Sequence, residues 1–143
     1  MERRFVSRSG LAAALLVALV LGATVSWAGS GLSLSASVTS THATVITRIC
    51  GATHRVAVVH AGRAFRVAGR LTTTSRVTLH PLRAILVSCP GFRLVETRSV
   101  PIQSSGTYRA AFTPHHRGDY RLRLQFNADA THEAHAVLFV RAR

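Results

Sequence analysis

The chain has 143 residues, 18 of them basic and 5 acidic, for a formal charge of +13, and 48% of its residues are hydrophobic. That apolar share excludes a disordered polyelectrolyte, and the length sets one domain. So large an excess of one sign predicts attraction to anionic polymers or surfaces and says nothing about fold.

The first segment has the layout of a leader. Arg3, Arg4 and Arg8 precede an almost unbroken apolar run from Leu11 to Leu21. Ser26-Trp27-Ala28 then places small residues three and one positions before a cut at Ala28–Gly29. A positive start, a short apolar stretch and a small-x-small site predict a secretory signal peptide over 1–28 and a mature domain over 29–143. The apolar run falls short of the roughly 20 residues a membrane span requires. An uncleaved anchor is the alternative, and it is the only membrane contact the sequence suggests. Without Arg3, Arg4, Arg8 and Glu2 the chain keeps 15 basic and 4 acidic residues, a charge of +11. Every one of those basic residues is arginine.

The mature part reads as a succession of short strands. Leu32, Leu34, Ala36 and Val38 alternate with serines, as an edge strand does, and 39–44 is turn-like. Val45 to Ile49 runs into Cys50-Gly51, and Arg55 to Val59 ends at His60-Ala61-Gly62. Phe65, Val67, Gly69 and Leu71 alternate with Arg66, Ala68 and Arg70, which predicts a strand with one basic face. Val77-Thr78-Leu79 is expected to begin another pairing before Pro81. Ile85-Leu86-Val87 is apolar on both sides and reads as a doubly covered strand. Cys89-Pro90-Gly91 turns the chain, Phe92 to Val100 returns, and Ser104-Ser105-Gly106 leads into Tyr108-Arg109-Ala110-Ala111-Phe112. Tyr120, Leu122, Leu124 and Phe126 interleave with Arg121, Arg123 and Gln125, and a last run spans Ala134 to Val140. Eight or nine short strands with Gly, Pro, Ser and Asn between them predict an all-β sandwich.

The mature region resembles the bacterial immunoglobulin-like domains of exported proteins, especially those of high-GC Gram-positive bacteria. The resemblance rests on Gly62, Phe65, Val67, Gly69 and Leu71, on the Ser105-Gly106-x-Tyr108 turn, on Thr113-Pro114 with Gly118, Tyr120 and Leu122, and on Asp129 to His132. Together these cover about residues 55 to 141. It implies a single sandwich of about 7–9 strands that serves as spacer, adhesion or binding module, and not as a catalyst. Tyr120 stands where such domains carry a tyrosine corner, its hydroxyl held by nearby backbone. The antibody-type core tryptophan is missing, and Cys50 and Cys89 are not on the strands that antibody domains join.

An even cysteine count in an exported chain predicts one disulfide, Cys50–Cys89, in an oxidising, extracytoplasmic compartment. The rival is a reactive or metal-binding thiol pair, without the CxxC spacing such sites use. If the strands pair as the resemblance implies, Arg66, Arg70 and Arg109 share one outer face and Arg121, Arg123 and Arg141 the other. Guanidinium forks match carboxylate and phosphate, so the partners expected are an anionic cell-wall polymer or another envelope protein, against a merely solvated basic face. Few aromatics are left to interleave with the arginines, which argues against specific nucleic-acid binding. Imidazoles suit copper or zinc, and His115, His116, His132 and His135 are the candidate ligands of an alternative metal-handling reading. Arg117-Gly118-Asp119 matches an adhesion tripeptide, although Gly118 and Asp119 are also ordinary turn residues. The four mature acids form no recognisable catalytic pair, and no nucleophile elbow, HExxH or phosphate loop occurs. No cofactor and no enzyme are expected.

Overall fold

The computed structural model describes residues 31–143; the expected signal peptide lies outside the described residues. Nine strands follow one another: β1 Leu32–Val38, β2 Ala43–Ile49, β3 Ala52–Val59, β4 Phe65–Thr73, β5 Leu82–Cys89, β6 Arg93–Val100, β7 Thr107–Phe112, β8 Gly118–Asn127 and β9 Glu133–Ala142. They form a three-stranded sheet, β1-β4-β7, and a six-stranded sheet, β2-β3-β9-β8-β5-β6. Every pairing is antiparallel except that of β3 with β9, which is parallel over Val56–Val59 only. The all-β sandwich expected from the alternation is the architecture observed.

Period-two patterning explains why the sheets face each other. Along β8, Tyr120, Leu122, Leu124 and Phe126 are buried while Arg121, Arg123 and Gln125 point away. Their inward side meets Leu32, Leu34, Phe65, Val67, Leu71, Tyr108 and Phe112 from the smaller sheet. Burying each of the larger side chains contributes about 1.5–3 kcal/mol. One expected element does not form. Val77 and Leu79 lie in the crossover between the sheets and pack against the core instead of pairing, while His80 stacks on Phe126 at 4.7 Å. Pro81, which follows, has no N–H to give a ladder.

Two tyrosines tie the sandwich together through backbone oxygens. The Tyr120 hydroxyl donates to the His116 carbonyl at 2.7 Å, the tyrosine-corner arrangement expected from its position. The Tyr108 hydroxyl crosses over Gly69 of β4 and donates to the Ser35 carbonyl of β1 at 2.5 Å. Burial pushes its phenol well above the ordinary range.

The β2–β3 hairpin does not simply extend the large sheet. Beyond the four residues paired with β9 it bends over that sheet's outer face. His54 stacks on Phe139 of β9 at 3.7 Å, the Arg141 guanidinium donates to the Arg48 carbonyl at 3.2 Å, and Cys50 in the hairpin turn is bonded to Cys89 at the end of β5. Ile49, Val56 and Val87 are buried beneath this contact yet stand apart from the main core. The disulfide expected from the cysteine count is therefore present, and it holds a hairpin tip down on a face that would otherwise be open. The doubly covered character of Val87 comes from the same contact.

Candidate basic face

Three arginines without a partner among the described residues share the outer face of the three-stranded sheet. Register decides its layout. Arg66 of β4 is opposite Ala111, Ala68 is opposite Arg109, and Arg70 is opposite Thr107. On the other side, Arg70 faces Ser35 and Ala68 faces Ser37 of β1, and Thr39 donates its backbone N–H to the Arg66 carbonyl at 2.9 Å. The outward residues thus form three rows across β1, β4 and β7: Thr39-Arg66-Ala111, Ser37-Ala68-Arg109 and Ser35-Arg70-Thr107. Each row holds one arginine among small residues.

The hydroxyls of Ser35, Ser37 and Thr39 are spent on the carbonyls of Arg70, Ala68 and Arg66. They stitch β1 to β4. The guanidinium groups of Arg66, Arg70 and Arg109 have neither ion pair nor hydrogen bond nor ring contact among the described residues. The three strands contain no acidic residue at all. Between Arg66 and Arg109 a depression of about 530 Å³ opens, lined also by Val67, Ala68, Ala110 and Ala111, with Thr39 at its rim. The sequence expectation that these three arginines share one face holds, and the structure adds the depression between them.

The second arginine group lies on the face that alternation suggested, but it is more covered. Arg121, Arg123 and Arg141 do share the outer face of the six-stranded sheet, but none is as open as the first three. Arg141 grips Asp119 through Nε at 2.7 Å and Nη2 at 3.0 Å; the hydrogen bonds it donates to this carboxylate make the guanidinium hold its proton more tightly than usual. That fork also occupies the carboxylate of the Arg117-Gly118-Asp119 tripeptide. Arg121 lies over the Phe92 ring at 4.5 Å. The Nε atoms of Arg121 and Arg123 are buried without a hydrogen-bond partner, so both stems lie flat on the sheet, as long cationic side chains do on apolar surface. Their period-two position was legible in the sequence; the hairpin folded over their sheet was not.

The histidine candidates are split. His115 and His116 lie in the loop entering β8, beside a depression of about 340 Å³ that Ser88, Val95 and Tyr120 also line. His132 lies in the turn leaving β8. The ten residues of β8 separate the two turns, about 30 Å of strand. In the second turn the Asp129 carboxylate accepts from the Thr131 and His132 amides and from the Thr131 hydroxyl, and it contacts His132 Nδ1 at 2.8 Å. The Thr131 amide, foremost among these, holds the Asp129 carboxyl well below the usual carboxylate range. His135 points outward on β9, opposite Gln125. Folding does not bring the two histidine groups together, and no cluster of three potential ligands occurs among the described residues.

Two exposed apolar features escaped the sequence reading. Leu94 is 65% and Phe92 48% exposed at the tip of the β5–β6 hairpin, and Ile46 is 74% exposed on β2. Both strands are sheet edges. The β6 edge is partly closed by Arg98, which donates to the Ala111 carbonyl of β7 at 2.5 Å, lies 5.3 Å from the Phe112 ring and pairs with Glu96.

No family model matches the chain. No curated protein matches it either. The disulfide is compatible with an extracytoplasmic location.

Proposed function

We propose that the protein is an exported, non-catalytic immunoglobulin-like module of the cell envelope that holds anionic material through the basic face of its smaller sheet. The observation that carries this reading is the trio Arg66, Arg70 and Arg109, exposed and unpaired among the described residues, on three strands that contain no acidic residue. Leaving three guanidinium groups without counter-charge on one face costs self-repulsion, which a bound polyanion relieves. The immunoglobulin-like assignment is supported by the antiparallel run β9-β8-β5-β6 opposed to β1-β4-β7 and by the tyrosine corner at Tyr120. Export is supported by the leader pattern and by the disulfide.

Retention on immobilised poly(glycerol phosphate) and poly-L-glutamate over a salt gradient tests the binding part. The triple variant Arg66→Gln, Arg70→Gln, Arg109→Gln should elute at much lower salt than the wild type, and Arg121→Gln with Arg123→Gln should change elution little. Equal losses from both variants, or salt-independent retention, would refute the assignment to this face. Intact mass of the exported protein tests export. A chain beginning at Gly29 that takes up alkylating reagent only after reduction is expected; a full-length chain with two free thiols would overturn it.

A further inference from the structure

Register on the smaller sheet gives the three cations a linear order. Arg66 and Arg70 are four residues apart on the same side of β4, about 13 Å along the strand. Arg109 of β7 is opposite Ala68, midway between them and diagonal to both. Moving along the strand direction, the cations come as Arg66, Arg109, Arg70, each about 6.6 Å further on and alternately from one strand and the other. A compact anion can meet one or two of them. An extended chain with one charge per repeat can meet all three.

The small residues decide what kind of chain fits. Ala68 and Ala111 leave the floor low between Arg66 and Arg109, so a chain can descend between guanidinium groups that reach it from either side. This suits a polymer whose charge is carried in the chain itself. A polymer with charges on side branches would have to seat its bulkier backbone in the same space. A tetrahedral phosphodiester presents two free oxygens, which a guanidinium fork can take together. The outward residues of this face include no aromatic side chain, so there is no platform for stacking bases.

We propose that this face is a track for an extended phosphodiester polymer without bases, laid along β4 across Arg66, Arg109 and Arg70. The proposal rests on the basic-face reading above and adds the ligand class and the direction.

Titration calorimetry with glycerol-phosphate oligomers of one, two, three and six repeats is the test, with oligothymidylate and oligo-L-glutamate of matched charge as the other arms. Affinity should climb steeply to three repeats and then flatten. With three contacts, log K should fall with log salt at a slope of about −2, a loss of about 20-fold between 50 and 200 mM, and each single Arg→Gln change should remove about 0.7 of that slope. Because the three side chains are exposed, the variants should melt like the wild type. Affinity that grows smoothly with total charge, or oligothymidylate or oligo-L-glutamate binding as tightly, would overturn the track while leaving an unspecific basic face. Binding by none of the polymers, immobilised or free, would overturn both readings.

Discussion

Gly69→Ala should destabilise the fold severely, because the space its side chain would fill belongs to another residue. A Cβ at position 69 would lie 1.9 Å from the Ser35 carbonyl oxygen, 2.4 Å from the Tyr108 hydroxyl and 2.6 Å from its ring carbon Cζ. Non-bonded atoms prefer about 3.5 Å or more, so either β1 or the tyrosine must retreat by more than an ångström. Overpacking of this kind costs about 1–3 kcal/mol, and loss of the Tyr108–Ser35 hydrogen bond adds about 1 kcal/mol. Against this stands a gain of about 0.5–1 kcal/mol from replacing glycine inside a strand. The net expectation is a loss of about 1–3.5 kcal/mol, or roughly 4–14 °C in Tm at about 4 °C per kcal/mol. Denaturant titration at unchanged m-value is the assay. Tyr108→Phe alone should cost about 1–2 kcal/mol, and the double variant should lose less than the sum, because in the Gly69→Ala background the hydroxyl has already been displaced. A Gly69→Ala protein as stable as the wild type, or strict additivity, would refute the argument that Tyr108 occupies the glycine's vacant side.

Tyr108 also predicts an alkaline limit. The unfolded chain releases this phenolic proton near pH 10.0, while burial raises the folded value. Its contribution is therefore complete below pH 10 and declines as pH rises above it. Stability curves from pH 8 to 12 should show that fall in the wild type and a weaker one in Tyr108→Phe; identical curves would exclude Tyr108 as the cause. For the disulfide, a sequence separation of 39 residues corresponds to about 4 kcal/mol of loop-closure stabilisation, which Cys50→Ala with Cys89→Ala should forfeit. Amide exchange should then accelerate first at Ile49 to Thr53 in the hairpin turn, and unchanged protection there would show that the bond does not hold the hairpin down.

Much of the architecture was legible along the chain. The alternation in β1, β4 and β8 determined which residues face the core, since side chains on a strand alternate by geometry alone. The same alternation placed Arg66 and Arg70 outward, and the cysteine count implied one bond. What the sequence misjudged was short or crossing. Val77 and Leu79 look like a strand because they are apolar, yet the crossover offers them core contacts and no partner edge. Arg121 and Arg123 look as open as Arg66 because period two reports a face without reporting what covers it. Over Arg121 the cover is the Phe92 ring at the tip of the β5–β6 hairpin, and Arg141 reaches both Asp119 of β8 and the Arg48 carbonyl of a hairpin 93 residues earlier. The depression between Arg66 and Arg109 depends in the same way on which residue of β7 lies opposite which residue of β4. Local pattern settles orientation within a strand, whereas register, edge and overlay are set by contacts between distant segments, and only the folded chain brings those together.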